Sequence, residues 1–585
     1  MKLEDFNYQH QNYELVPGLS QLQTNILKNR DKNEDLDSFL YKDYDILEDL
    51  DLIPNISRAA ATLRSHLMDK SNIAIVSDCD CDGITSAATT YRILKEVFHH
   101  PEDKLNVIIN KRKTGNSFTP ALVKRVKELH NANYISLMYS CDQGSLNGKE
   151  YRDFAKTCGF DMIITDHHQV RKGELYPDAK DLWFVNPQDS EEEIYPFKQV
   201  SGCVVTLLVL IYTYCKLYYA DDPKHNKDYR IFYKYMDLPA VSIVSDIMSC
   251  DNPLNRWIYK IGLNEINKRS NPVFQALRFV LEIPGKIELS DIKMKIAPLI
   301  NAANRMDVEE LAYDMITQTV KENAIIEAER LVIHNSEKKA TIKTLTKDLI
   351  QGLDRIDCSE GIIVTIKDVP AVNGILAGKI GSLKGVPTIC FMERENMLSG
   401  SCRAIVPGFD LIELFTRISK QDPNIILNFG GHKDACGVHI DKDYLEVFQG
   451  LFFQNVKDML KELPEKQNIV IDYMIKEEDI DLSILYSQNS LAPFGKDFKE
   501  PIFLSILHIK HIIILGDIAR ITFKRKNGGT LSGFYNFGTT DYINMDNIKD
   551  LLQPGTRCIT SFTGDVSSYA NAYDINLNIL KIDIL

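Results

Sequence analysis

The stretch Ile73-Ala74-Ile75-Val76-Ser77-Asp78-Cys79-Asp80-Cys81-Asp82-Gly83 runs from an apolar, β-branched segment directly into three aspartates spaced two apart and a glycine. A short continuous apolar run of this kind reads as a strand buried on both faces, as in a parallel sheet. Outward from it, residues 107–109, 134–139, 162–164 and 182–185 repeat the signal, with amphipathic stretches such as 120–130 between them. Strands alternating with helices at this spacing predict an α/β domain with a doubly wound parallel sheet, over residues 61–298. Residues 1–60 are expected to form an N-terminal segment packed on it. Ligands of such sheets bind at the carboxyl ends of the strands, where these aspartates fall.

The chain has 585 residues, and 68 Lys+Arg against 81 Asp+Glu give a formal net charge of −13 (68 − 81). At about 150 residues per domain, the length predicts three or four domains. Hydrophobic residues at 44% and charged residues at 25% exclude a mostly disordered or collagen-like chain. The acidic balance excludes a surface coated in positive charge for gripping duplex DNA, so any basic surface has to be local. The first residues show no basic stretch followed by an apolar one, so no secretory signal is expected. The apolar run 204–211 falls far short of the ~18 residues of a membrane span. Twelve cysteines are scattered, with only Cys79 and Cys81 close together and no CxxC pair. This predicts free thiols in a reducing cytoplasm, with neither a zinc ribbon nor a disulfide framework.

Between Pro298 and Gly352 there is no glycine or proline, and Ile342, Leu345 and Leu349 fall at helical spacing. The expected element is one connecting long helix over 299–352, with a break allowed near Arg305. A second α/β domain, with a strand at 361–366, is expected over 353–465. Residues 466–585 lack helical periodicity and offer strands at 502–509, 519–524 and 575–582, which predicts a small β-barrel.

On an extended segment Asp78, Asp80 and Asp82 would point to one side, with Cys79 and Cys81 facing away. Converging carboxylates repel one another unless cations sit among them. The motif also matches the start of an EF-hand loop, but position twelve is Thr89 instead of Glu, and a strand stands where a helix is required. A solvated acidic turn is the ordinary alternative. Three further elements join the first: Asp142-Gln143-Gly144, Thr165-Asp166-His167-His168, and Asp246 in Val244-Ser245-Asp246-Ile247. Each alone reads as a strand-end cap. Together the four supply up to six carboxylates and two imidazoles. Oxygen ligands with a minority of imidazoles suit Mn²⁺ or Mg²⁺, and this number of carboxylates matches two ions. Two metals about 3.5–4 Å apart activate water and stabilise both oxygens at phosphorus. The expected chemistry is metal-assisted phosphoester hydrolysis with no covalent enzyme intermediate.

In order and spacing, Asp78-x-Asp80-x-Asp82-Gly83, Asp142-x-Gly144, Asp166-His167-His168 and Asp246 resemble the motifs of the DHH phosphoesterase superfamily. Gly430-Gly431-His432 resembles the signature of the associated DHHA1 domain. Ile26-Leu27-Lys28-Asn29-Arg30, Asn186-Pro187-Gln188, Ile300-Asn301-Ala302-Ala303-Asn304-Arg305, Gly400-Ser401-Cys402-Arg403 and Pro493-Phe494-Gly495 are similar to RecJ-like single-stranded-DNA-specific exonucleases of that superfamily, the last where those proteins start an OB-fold. The resemblance covers nearly the whole chain. It implies a DHH domain, a DHHA1 domain at 353–465 and an OB-like domain at 466–585.

It further implies an exonuclease that degrades single-stranded DNA from the 5′ end to mononucleotides with two Mn²⁺ or Mg²⁺ ions, in DNA repair, recombination or replication. The implied metal and catalytic residues are Asp80, Asp82, Asp142, His167, His168 and Asp246, with Asp78 a further ligand or a supporting residue and Asp166 orienting a histidine. Arg112, Arg305, Ser401, Arg403, Gly430, Gly431 and His432 would meet substrate phosphates. The implied partners are single-stranded DNA and a single-strand-binding protein or helicase, with the chain itself a monomer away from membranes. Two departures stand out: Asn304 replaces the usual Gly before the arginine, and Lys496-Asp497 follows Pro493-Phe494-Gly495 in place of the usual Gly-Asn.

A nuclease needs a positive track with apolar or aromatic groups against bases. The candidates are 111–113, the run 524–526 ahead of Gly528-Gly529 at a hairpin tip, and the aromatics Phe534, Tyr535 and Phe537, at least half of which alternation assigns to barrel core. Two other readings remain: a phosphodiesterase for short oligonucleotides or cyclic dinucleotides, and a non-catalytic replication scaffold. The RecJ-like ends count against the first, and the complete set of mutually repelling carboxylates counts against the second.

Overall fold

The computed structural model describes residues 13–32, 39–40, 50–115, 117–145, 147–169, 183–189, 195–218, 228–304, 306, 308–353, 360–367, 372–394, 396–463, 469–515, 518–536, 552–569 and 572–585. It divides into two compact units: a parallel-sheet unit of residues 37–339 and 493–499, and a barrel unit of residues 1–36, 340–492 and 500–585. Helix α1 (Gln21–Asn29) belongs to the barrel unit, where Arg30 grips the buried Asp472 with Nε at 2.6 Å and Nη2 at 2.8 Å. The segment expected as one N-terminal piece over residues 1–60 is thus divided between the two units, with Arg30 fixed in the barrel unit by a two-pronged ion pair to a buried carboxylate. Helix α2 (Ile56–Met68) does join that domain, through Ile56, Ala59, Ala60 and Leu63.

Five strands form the sheet: β1 (Ile73–Ser77), β2 (Leu105–Ile109), β3 (Leu137–Cys141), β4 (Asp161–Thr165) and β5 (Trp183–Val185), all parallel, in the order β2-β1-β3-β4-β5. Helices cover both faces. Ile73 and Ile75 enter the core formed with α2, α3 (Cys81–Glu96) and, after α4 (Pro120–Asn133) and α5 (Gly148–Cys158), with α6 (Gly202–Tyr218) and α7 (Asp237–Ser245). Ala74 and Val76 enter the opposite core with Leu122 and Val126 of α4 and Tyr151 and Phe154 of α5. Thr119 caps α4 by accepting from Leu122 N–H, and Pro120 occupies its first turn, where no amide is needed. The chain leaves β1 outward to β2 and returns past it to β3, so the crevice of the sheet opens between the carboxyl ends of β1 and β3.

After α8 (Pro253–Ile266) and α9 (Pro272–Val280), the segment expected as one helix is three: α10 (Ala297–Ala303), α11 (Glu309–Ile316) and α12 (Lys321–Leu353). Val308 N–H closes a turn onto Ala303 O, and the Thr317 hydroxyl donates back to Tyr313 O where α11 stops. Such local turns and side-chain bonds compete with helix continuation without needing glycine or proline. The 33-residue α12 buries Ala328 and Leu331 in the parallel-sheet core and Ile342 and Leu353 in a core of the barrel unit.

The barrel unit holds a mixed sheet of β6 (Ile362–Ile366), β7 (Thr388–Arg394), β8 (Met397–Arg403), β9 (Asn428–His432) and β10 (Ala435–Asp441), ordered β6-β7-β8-β10-β9. Helices α13 (Asn373–Lys384), α14 (Leu411–Gln421) and α15 (Leu445–Glu462) accompany it. Beyond the short β11 (Tyr473–Met474) and α16 (Leu482–Asn489) lie β12 (Phe503–Leu515), β13 (Ile518–Lys524), β14 (Thr530–Asn536), β15 (Arg557–Tyr569) and β16 (Ala572–Ile584). Pairings β12–β13–β14–β16–β15 and back to β12 close a five-stranded barrel with β14 and β16 parallel, an OB-like fold. No helix among the described residues is long and apolar enough to cross a membrane. The described cysteines are all free thiols.

Candidate metal centre

Asp78 is the first residue after β1, and the chain turns at once into α3 instead of staying extended. Asp80 caps α3, its Oδ1 accepting Gly83 N–H at 3.1 Å, and Asp82 lies in the first helical turn. The three carboxylates thus converge by a strand-to-helix turn, not by β alternation as the spacing alone implies. The turn is tight enough that a Cβ on Gly83 would lie 2.3 Å from Asp78 O, so glycine is required there. Cys81 N–H donates to Asn301 Oδ1 at 2.9 Å, and Cys79 and Cys81 are buried. Burial pushes both thiols up, which disfavours the thiolate that a nucleophile requires.

Asp142 follows β3 in a left-handed conformation (φ 56), its N–H bonded to Thr165 O. His167 and His168 follow β4. Asp246, expected at a strand end, caps the carboxyl end of α7 instead. An apolar segment buried all round carries no periodicity that separates helix from strand, which is why the sequence leaves this open. His167 Nε2 sits at the centre, 3.3 Å from Asp142 Oδ1, 3.5 Å from Asp246 Oδ2 and 3.6 Å from Asp82 Oδ2. Three groups bring ligand atoms within 4.8 Å of one another: Asp142-His167-His168, Asp82-His167-Asp246 and Asp78-Asp80-Asp142. These are the seven residues singled out as metal ligands, in one crevice.

Asp166 orients the histidines. Its Oδ1 accepts from His168 Nδ1 at 2.7 Å and from His167 N–H at 2.7 Å, while Oδ2 accepts both the amide and the hydroxyl of Ser145. A carboxylate on Nδ1 orients the His168 ring and leaves its Nε2 clear of that bond. Asn186 holds this arrangement from behind, donating to Ser145 Oγ and His168 O. Ser145 and Asn186 carry no sequence signal of their own for this role, since only the fold brings residues 41 apart together.

Burial, reinforced by Asp82 and Asp80, drives the Asp142 and Asp246 carboxyls well above the usual range. Burial also raises Asp82, and burial with Asp80 pushes Asp78 up to about 6. Burial opposes a charge on His168, yet Asp166 holds it up to about 10; burial lowers His167. Asp142 Oδ1 is buried without an aligned donor. Crowded carboxylates that resist ionisation, an unbonded carboxylate oxygen and imidazole nitrogens form a donor set that fits hard divalent cations.

Lys496, in a segment the sequence assigns to the β-rich tail, also belongs to this unit. Cys250 N–H bonds Lys496 O at 2.9 Å, the buried Arg256 donates to both Cys250 O and Pro493 O, and the Lys496 charge favours ionisation of Asp246.

Of the expected phosphate-contacting residues, Arg112 is exposed while its amide bonds Glu309 Oε1. Arg305 lies outside the described residues. In the barrel unit, Ser401 and Arg403 of β8 sit beside the start of α13, and a Cβ on Gly374 would approach Ser401 Oγ and Arg403 Nη2 to 2.9 Å. Gly430, Gly431 and His432 lie exposed on the edge strand β9. Of the candidate tracks, Lys111 pairs with Glu310 at 3.3 Å and Arg525 turns inward to Glu477 O, Glu478 O and Ile480 O. The hairpin tip is there, but its central arginine is structural. Tyr535 is buried and Phe534 exposed with Arg520 over its ring at 6.0 Å; Phe537 lies outside the described residues.

Residues 72–243 match the family model described as DHH family, N-terminal domain. The chain is also similar to RecJ proteins: it is 26% identical to the single-stranded-DNA-specific exonuclease RecJ of Haemophilus influenzae over 471 residues, 77% of each chain. It is 23% identical to RecJ of Escherichia coli over 464 residues, 77% of this chain and 78% of that one. The solved structure of RecJ in complex with Mn²⁺ from Thermus thermophilus matches with a TM-score of 0.71 at 20% identity, covering 97% of this chain and 76% of that one.

Proposed function

We propose that this chain is a metal-dependent exonuclease that hydrolyses single-stranded DNA from the 5′ end and releases 5′-mononucleotides. The observation that carries the reading is the convergence of five candidate ligand carboxylates and two imidazoles on the crevice between β1 and β3. Asp78, Asp80, Asp82, Asp142, His167, His168 and Asp246 would hold two Mn²⁺ or Mg²⁺ ions, which when bound lower the pKa of water and offset charge on the phosphate oxygens. The chain's own part is positional. Asp166 fixes the tautomer and aim of His168, and the left-handed turn at Asp142 presents its unbonded Oδ1 to the crevice. Ser401 and Arg403, the latter with a planar donor fork, are suited to phosphate oxygens, as are Arg112, Arg305 and the Gly430-Gly431-His432 strand. The similarity to RecJ proteins along three quarters of the chain and the OB-like barrel support a single strand as substrate.

The test offers 5′-labelled and 3′-labelled single strands, a duplex and a dinucleotide with Mn²⁺ and with EDTA. Mn²⁺-dependent release of mononucleotides from the 5′ end of single strands alone is expected. Cleavage of the dinucleotide only would transfer the reading to a short-oligonucleotide phosphodiesterase, and no cleavage of any substrate would favour a scaffold. Asp142→Ala and His168→Ala should each abolish turnover while single-strand binding persists.

A further inference from the structure

Asp82 is the most completely held carboxylate of the centre. It is buried at 2% exposure, and three donors surround it: Gly202 N–H reaches Oδ2 at 2.8 Å, and Cys203 N–H at 2.9 Å and Ser242 Oγ at 2.5 Å reach Oδ1. The two amides are the first of α6, unsatisfied within that helix. Ser242 Oγ also lies 2.5 Å from Ser201 Oγ. An ionised carboxylate only accepts, so the single Ser242 proton goes to Asp82 in preference to Ser201 Oγ.

Helical serines and threonines ordinarily return their hydroxyl to a carbonyl one turn back. In α3, Thr85 bonds Cys81 O, Ser86 bonds Asp82 O and Thr90 bonds Ser86 O in this way. Ser242, fully buried in α7, instead reaches across to another helix. It does so one turn before Asp246, whose amide bonds Ser242 O, so one helix end delivers a candidate ligand and a hydroxyl that holds a second.

We propose that Ser242 is a positioning residue that restricts Asp82 to one bond to a metal ion, through Oδ2. The lone-pair count carries it. A carboxylate offers about two acceptor sites per oxygen. Ser242 and Cys203 fill those of Oδ1; Gly202 fills one of Oδ2; the remaining one faces His167 Nε2, 3.6 Å away. Asp82 would thereby be excluded from chelating with both oxygens. Without the Ser242 hydroxyl, Oδ1 regains an acceptor site and the carboxylate loses its lock.

This inference rests on the metal-centre reading. Its test titrates the metal-free full chain with Mn²⁺, following free Mn²⁺ by electron paramagnetic resonance, beside circular-dichroism melting. Ser242→Ala is expected to weaken Mn²⁺ binding about tenfold, the lower end of the range for residues supporting metal ligands. Ser201→Ala should weaken it less, since Ser242 keeps its bond to Asp82. In an Asp82→Asn background, Ser242→Ala should add no further loss. Unchanged Mn²⁺ affinity in Ser242→Ala, or an equal loss on top of Asp82→Asn, overturns the proposal. A parent chain that binds no Mn²⁺ overturns the metal centre together with it.

Discussion

Gly202 gives the sharpest perturbation of the candidate centre. It opens α6, where its amide holds Asp82, and its α-carbon faces Asp142. A Cβ added there would lie 2.4 Å from Asp142 Oδ1, 2.6 Å from its Cβ and 2.7 Å from its Cγ, against at least 3.4 Å for ordinary contact. The shortfall at Oδ1 is 1.0 Å (3.4 − 2.4). Turning the carboxylate aside does not relieve the overlap at Asp142 Cβ, so backbone has to move. Neither partner yields easily: the first turns of α6 are wholly buried, and Asp142 is tied by its amide to Thr165 O at 2.8 Å. Gly202→Ala should therefore displace Asp142 by about 1 Å, enough to cost about 100-fold in turnover. Overpacking of this size costs about 1–3 kcal/mol of stability, which leaves the chain folded. Mn²⁺ affinity, turnover on a labelled single strand and melting temperature are the three readouts. Gly450→Ala, in α15 with open space around the added carbon, is the control and should be neutral or slightly stabilising. Parental turnover together with parental Mn²⁺ affinity in Gly202→Ala would refute the placement of Asp142 as a ligand.

Stability without metal should depend on pH in a defined sense. Burial and Asp80 push Asp78 up to about 6, and Asp166, against burial, holds His168 up to about 10. Both folded values lie above the unfolded ones, so their stabilisation is full at low pH and is lost as pH rises through those values; His167, lowered by burial, acts oppositely and loses its contribution as pH falls below its ordinary 6.5. With the raised groups in the majority, the melting temperature of the metal-free chain should fall between about pH 5 and about pH 8, and Mn²⁺ should raise it more at the upper end. A rise across that interval without metal would count against the charge assignment. Asp166→Asn should bring the His168 pKa down from about 10, read by NMR titration of the metal-free chain, and reduce turnover about 10- to 100-fold. Phe534→Ala should weaken single-strand binding by about 1–3 kcal/mol without shifting the melting temperature, whereas Tyr535→Ala, at a buried position, should lower the melting temperature. Equal effects of those two substitutions on melting would show that Phe534 is core.

The sheet was legible because its central strands β1 and β3 are buried along their whole length and β2 and β4 mostly so, and buried strands announce themselves as continuous apolar runs. Most of the candidate ligands were legible because they follow β1, β3 and β4 closely, where local sequence order is spatial order. Asp246 was legible as a residue but not as a helix cap, since α7 is apolar all round. The connecting helix breaks near Arg305 as allowed, but its second break was not legible: the side-chain bond of Thr317 to Tyr313 ends a helix without glycine or proline.

By itself, then, the sequence determined the class of the first sheet and the β-barrel at the end, and it singled out seven candidate ligands, because these depend on patterns within a few residues. Tertiary structure decided what needs distant segments to meet. It set α1 on the barrel unit through Arg30 and Asp472, brought residues 493–499 to the turn after Asp246, and turned the Arg525 side chain into a structural brace. It also placed Gly202, Cys203 and Ser242 around one carboxylate, over 100 residues away in the chain. The physical reason is that a buried charge has to be met by donors wherever the fold supplies them, and hydrophobic periodicity does not record which ones those are.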